Sequence, residues 1–109
     1  MIDQKNTFSK KVEYKILQLK SMSMEDITNS AYYSVYYAIF IKKDRFKEGE
    51  TVISTSSIRS LDYAVYVLKG RFKIGEDTIK KSINSSRHYI NAMEKLLTGD
   101  ELIVFKLEF

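Results

Sequence analysis

Apolar residues along this chain fall mostly at helical spacing. Phe8, Val12, Ile16 and Leu19 recur at intervals of four, four and three, which predicts one apolar stripe on a first helix. "SMSMED" follows, with Ser23 placed to cap a second helix and Glu25 and Asp26 in its first turn, where acids are favoured. That second helix is expected from Met24 to Lys43. Ile27, Ala31, Val35 and Ala38 form one stripe on it, Tyr32, Tyr36 and Phe40 a second, and Tyr33, Tyr37 and Ile41 a third. A helix apolar on several sides is one surrounded by other helices, and a half-buried strand would instead alternate apolar with polar.

"KEGETVISTSS" reads as a loop with a short extended piece at Thr51–Ser54. Ser56 or Ser57 then caps a third helix from Ile58 to Leu68, with Ile58, Leu61, Val65 and Leu68 on one face. Gly70 stands where helices commonly end in a left-handed residue. The fourth helix, Glu76–Leu97, carries Ile79, Ile83, Ser86, Ile90, Met93 and Leu97 at alternating four–three spacing, and Gly99 closes it. "ELIVFKLEF" alternates at its end, with Ile103, Phe105, Leu107 and Phe109 on one side, and predicts a short C-terminal β-strand. Its partner would be the piece near residue 52 or a copy in a second chain. The expected fold is mainly α: a helical bundle of about four helices with that strand appended, one domain over residues 1–109. No internal repeat, low-complexity tract or interdomain linker is read from the pattern.

Composition narrows the chemistry. The chain has 109 residues, 44% hydrophobic and 29% charged, which is ordinary for a globular protein. It has no cysteine and one histidine, His88, so thiol chemistry is excluded and no metal site or cofactor is expected. The polar N-terminus, MIDQKNTFSKK, lacks a signal-peptide core. The longest nearly apolar run, Ala31–Ile41, is about half of the ~20 residues a membrane helix requires. A soluble, cytoplasmic protein with no membrane contact is expected. The net charge of +4 permits nucleic-acid binding without demanding it; the densest basic cluster, "KKDRFK" at 42–47, also suits a helix C-terminus. Few labile residues and many Lys and Ile suggest a thermophilic source.

Two segments resemble the HEPN family, small helical domains often encoded beside minimal nucleotidyltransferases. One is "MEDITNSAYYSVYYAIF" (24–40), which resembles the family's aromatic second helix; the other is "IRSLDYAVYVLKGRFKIGEDTIKKSINSSRHYINAMEKLL" (58–97), with its "R..DY". Many HEPN domains are metal-independent ribonucleases with an arginine and, four to six residues on, a histidine. Arg59 matches the arginine, but Asp62 and Tyr63 follow where the histidine belongs. Metal-free RNA cleavage needs a proton acceptor and donor near neutrality plus a cation, and aspartate and tyrosine titrate far from pH 7. The resemblance therefore implies the scaffold and weakens the case for the nuclease.

Arg59, Asp62, Tyr63 and Tyr66 share a helix face, either as a binding patch for a partner or RNA or as an i,i+3 ion pair beside two edge tyrosines. Arg87 and His88 are further candidates, although adjacent residues on a helix diverge by about 100°. Tyr32, Tyr33, Tyr36, Tyr37, Phe105 and Phe109 are candidates for a dimer interface. The resulting expectation is a non-catalytic HEPN-like module that forms a homodimer and engages a nucleotidyltransferase-like protein, RNA or DNA. The alternatives are a metal-independent ribonuclease toxin of a toxin–antitoxin pair and a small structural or regulatory protein of a virus or plasmid.

Overall fold

The computed structural model describes residues 4–109, with side chains from residue 9 onward, so Phe8 and the polar N-terminal tip lie outside the described side chains. The elements are α1 (Gln4–Ser21), α2 (Met24–Thr28), α3 (Ala31–Tyr36), α4 (Glu50–Ile53), α5 (Ser57–Asp62), α6 (Glu76–Lys80), α7 (Ile83–Leu96) and α8 (Gly99–Glu108). α3 runs on into a π-helical segment, Tyr37–Lys42, and α5 into another, Tyr63–Leu68; 3-10 turns at Lys47–Gly49 and Lys73–Gly75 lead into α4 and α6. The protein is mainly α-helical, and no strand occurs among the described residues.

Four long helices are not what the chain forms, because serines interrupt the pattern. Ser30 Oγ accepts the backbone N–H of Tyr33 at 3.1 Å, and Ser82 Oγ that of Ser85 at 3.2 Å. Each is an N-cap in extended conformation, so the expected Met24–Lys43 helix divides into α2 and α3, and the expected Glu76–Leu97 helix into α6 and α7. Ser56 caps α5 in the same way, through the N–H of Arg59. The left-handed residue after α5 is Lys69 (φ 52°) rather than Gly70, and Lys43 (φ 55°) stands in the matching place after α3. The Thr51–Ser54 stretch is helical in α4, not extended.

The caps recur 26 positions apart, and so does much else. Ile27, Ile53 and Ile79 are all buried. The hydroxyls of Ser34, Ser60 and Ser86 donate to the carbonyls of those three isoleucines at 2.8, 3.0 and 3.0 Å. Tyr37, Tyr63 and Tyr89 share one position, and "RFKEGE" (45–50) returns as "RFKIGE" (71–76). The expectation of no internal repeat is therefore corrected: the chain contains three copies of a helix–turn–helix unit, α2–α3, α4–α5 and α6–α7. α4 packs on α3 and α6 on α5, while α3, α5 and α7 lie side by side, so the units stack along one axis.

Units two and three each contain a polar knot around a buried glutamate. Arg45 Nε and Nη2 donate to Glu50 at 2.7 and 3.0 Å; Arg71 does the same to Glu76 at 2.8 and 2.8 Å. The Tyr63 hydroxyl donates to Glu50 Oε2 at 2.6 Å and accepts the Phe46 backbone N–H at 2.8 Å. Tyr89 repeats this with Glu76 at 2.7 Å and the Phe72 N–H at 3.0 Å. Burial alone would raise the two carboxyls, but the hydrogen bonds from arginine and tyrosine hold both below the usual carboxylate range. Burial, together with the adjacent carboxylate, pushes the two phenols well above theirs, so they remain donors. The first unit has Ser23 and Met24 where the others have Gly and Glu, so Tyr37 lacks this knot and packs its ring on Phe46, centroids 4.8 Å apart.

Glycine permits the stacking. A Cβ on Gly49 would lie 2.7 Å from the Phe46 ring and 2.9 Å from Ser34 Cβ in the unit before it; one on Gly75 would lie 2.6 Å from both the Phe72 ring and Ser60 Oγ. The face expected of α5 shifts accordingly: Ile58 is 58% exposed, and Ser60, Tyr63 and Ala64 are buried instead. On α7 the expected stripe is displaced as well: Ile83 and Ile90 are exposed, and Ser85 and Tyr89 are buried instead.

The expected C-terminal strand is also corrected. Gly99 takes φ 56°, Asp100 and Glu101 occupy the first turn, and Leu102, Phe105 and Phe109 fall at helical spacing on the side facing the core. Four alternating apolar residues fit both periods, and the contacts of Phe105 and Phe109 with Tyr89 (centroids 5.6 and 5.1 Å) decide for helix. Phe105 lies 26 positions after Ile79 and is buried like it, so α8 takes the place of the first helix of a fourth unit.

Gly75→Ala is expected to cost about 1–3 kcal/mol, as overpacking does. Gly70→Ala, whose Cβ would meet nothing closer than 3.9 Å, should change stability by less than about 0.5 kcal/mol; urea denaturation of both variants checks the difference. The knots set the pH response. Carboxyls held below their unfolded value contribute stability that is complete above about pH 4.3 and lost on further acidification. Phenols held above theirs contribute stability complete below about pH 10 and lost on the alkaline side. Tyr89→Phe strands the Phe72 N–H and should cost about 1–3 kcal/mol at neutral pH. In a series of thermal melts it should also shrink both the acid and the alkaline losses.

Candidate functional site

Because α3, α5 and α7 lie side by side, equivalent positions on them form rows across one surface. Tyr36, Asp62 and His88 make one row; Phe40, Tyr66 and Ala92 make the next. Two distinct environments lie along it.

At the α3 end the tyrosines form an edge-to-face chain, Tyr33 to Tyr32 (5.1 Å) and Tyr32 to Tyr36 (4.6 Å), and Tyr36 stacks on Phe40 at 5.7 Å. Their polar partners come from other helices. Lys15 Nζ of α1 donates to the Tyr32 hydroxyl at 2.8 Å and to Gln18 at 3.1 Å, and Gln18 Nε2 reaches the Tyr33 hydroxyl at 3.3 Å. Arg59 of α5 places its guanidinium 4.9 Å from the Tyr32 ring centre and 5.6 Å from that of Tyr36, a cation–π arrangement. Its Nη1 is 3.2 Å from Asp62 Oδ2. The uncharged tyrosine run is thus covered from both sides by cations distant in sequence. These half-buried rings are committed largely to contacts within the chain.

Between α5 and α7 the surface opens into a groove of about 630 Å³. Leu61, Val65, Ala92 and Leu96 give it an apolar floor, and Asp62, Tyr66, His88, Asn91 and Lys95 a polar margin. Burial raises the Asp62 carboxyl above its ordinary value; the Arg59 charge and hydrogen bond oppose this without cancelling it. A second groove, about 590 Å³, is lined by Lys69, Arg71 and Lys73 together with Asp100 and Glu101, and so carries both signs of charge.

Of the candidates read from sequence, the groove brings together Asp62, Tyr66 and His88, with Arg59 joined through Asp62. Tyr63 is fully buried in the knot with Glu50, Arg87 is exposed outside the groove, and Phe105 is buried within its own chain. Phe109 is stacked on Phe105 at 5.3 Å. Sequence reasoning missed Lys15 and Gln18 as tyrosine partners, and Leu61, Val65 and Lys95 as groove residues. The repeated "RFKxGE" was the signal that could have set the rows in register. Among the described residues no group of three or more His, Cys, Asp or Glu is placed to hold a metal, and no helix is long and apolar enough to cross a membrane.

The Asp62 carboxyl should titrate above the ordinary aspartate value of about 3.9. Arg59→Ala, by removing the opposing charge, should move it further up; carbon-detected NMR titration of the side chain reads both. In comparisons with known proteins, no family model, no curated protein and no solved structure matches this chain.

Proposed function

We propose that this chain is a binding module whose stacked units present the α5–α7 groove to a segment of a partner protein. The observation that carries the reading is the groove itself: an apolar floor between the second helices of two consecutive units, edged by an acid, a histidine and a lysine. Repeat stacks bind through such rows, because each unit adds one helix to a continuous surface. A short amphipathic helix is the occupant that fits, with apolar side chains entering over Leu61, Val65 and Leu96 and polar ones meeting Asp62, His88 and Lys95.

The two segments that resemble the HEPN family are both drawn from the 26-residue repeat: 24–40 lies within unit one, and 58–97 spans the end of unit two and the helices of unit three. The binding reading rests on that unit and does not require the nucleotidyltransferase partner that the resemblance implies. Arg59, the residue matching the family's nuclease arginine, is occupied by Asp62 and two tyrosine rings, which supports binding over cleavage.

Peptides selected from a random library against the immobilised protein provide the probe. They should shift the backbone NMR signals of Asp62, Tyr66 and Asn91, and Tyr66→Ala, at a 64% exposed position, should weaken them at least tenfold, about 1.4 kcal/mol. Selected peptides indifferent to Tyr66→Ala would remove the groove from the proposal. Labelled RNA bound with a steep salt dependence, or cut in EDTA by the wild type and not by Arg59→Ala, would replace a protein partner with RNA.

A further inference from the structure

The α5–α7 groove ends at a row of lysines. Lys43, Lys69 and Lys95 are 26 positions apart, all exposed, at the C-terminal ends of the three helices that lie side by side. Lys95 lines the groove itself. Lys69 lines both hollows that adjoin it: the larger, about 590 Å³, shares Leu96 with the groove, and a smaller one, about 200 Å³, shares Tyr66 with it. Lys43 lines the smaller hollow from the α3 side. Packed helices lie about 8–10 Å apart, so the row presents one cation per helix at about that interval.

No contact within the chain accounts for this row. Among the described residues none of the three lysines forms an ion pair, whereas Arg45, Arg59 and Arg71 are each bonded to an acid. Asp62, the acid on the groove margin, is the one held by Arg59, at 3.2 Å. Asp44, which shares the smaller hollow, accepts the Arg45 backbone N–H at 2.7 Å. Asp100 and Glu101 stand in the larger hollow on α8, not on the row. Two of the lysines are also placed at a cost. Lys43 and Lys69 take φ 55° and 52°, the left-handed backbone that glycine adopts freely and other L-residues do not. A lysine in the last helical turn complements the helix dipole without this strain, as Lys42 does beside Lys43. Strain that the local structure does not need points to use of the side chain.

We infer that the segment bound in the α5–α7 groove is an acidic amphipathic helix, its carboxylates gathered at the end that lies between Lys69 and Lys95. This rests on the groove reading and adds to it the charge of the partner and the residues that select it. Lys43 extends the same contact toward α3. A helix supplies apolar side chains for Leu61, Val65 and Leu96 and places acids within a turn of them. Nucleic acid fits less well, because stacked bases need open rings beside the cations. Of Tyr36, Phe40 and Tyr66 along these rows, only Tyr66 is exposed.

The probes are the peptides selected against the immobilised protein, and the readouts are their affinity and the melting temperature of each variant. The peptides should be enriched in Asp and Glu over the starting library, and their affinity should fall with added salt. Lys69→Gly removes a cation and relieves the backbone, so the melting temperature should hold or rise while affinity drops about threefold. Lys95→Gln should match that loss, and the double variant should lose about tenfold. The Lys69→Arg variant keeps the charge and should bind as the wild type does. Peptides that shift the Asp62 and Tyr66 signals yet carry no acidic excess, or that bind the double variant undiminished, would overturn the inference and leave the groove standing. Peptides indifferent to Tyr66→Ala would remove the groove and this inference with it. A melting temperature lowered by Lys69→Gly would make that lysine structural. Single-stranded RNA that binds more tightly than the peptides, and is released by the same substitutions, would give the row to phosphate instead.

Discussion

Two buried glutamates hold this structure in register. Glu50 and Glu76 are each enclosed beside an arginine and a tyrosine, and that tyrosine also takes the backbone N–H of the phenylalanine next to the arginine. A carboxylate removed from water is costly unless its oxygens are occupied. Here every buried side-chain polar atom among the described residues has a partner. The knot ties the entry turn of a unit to the middle of its second helix, so the turn, the short helix and the long helix cannot shift independently. The close approach at Gly49 and Gly75, which seats each unit against the serine of the previous one, depends on that fixed geometry.

The functional surface follows from the stacking. Rows such as Tyr36, Asp62 and His88 exist because equivalent positions recur at constant spacing along the stack, not because any one helix concentrates chemistry. The copies have diverged along each row. The α3 end is aromatic and covered by Lys15 and Arg59, while the α5–α7 end is open, with an apolar floor. One backbone plan thus carries two different environments side by side, and side-chain differences alone separate them.

Helix content was legible in the sequence, since Ile27, Val35, Ala38, Ile79 and Met93 all sit at helical spacing and all are buried; Tyr89 was passed over for Ile90, which is exposed. Ser23 and Ser56 were readable as caps because each precedes an apolar pattern. Ser30 and Ser82 were not, because the pattern continues across them: a cap inside an unbroken stripe is decided by packing against the neighbouring unit. The C-terminal nine residues fit two periods at once, and contact with Tyr89 settled them. Asp62, Tyr66 and His88 were found as individual residues, but their meeting in one groove depends on the 26-residue register. That register was written in "RFKEGE" and "RFKIGE", a signal that reading for apolar period alone passes over.

The uneven distribution of the knot has a dynamic consequence. In a linear stack each unit is stabilised by its own interior and by its neighbours, so the unit with the poorest interior opens first. Unit one has no Arg–Glu–Tyr knot, while unit three has its own knot, a second bond from Arg71 to Glu108 at 2.9 Å, and the stacked rings of Phe105 and Phe109. The gradient gives the molecule a direction of fraying. Amide protons of α2 and α3 are therefore expected to exchange through local opening at lower cost than those of α7.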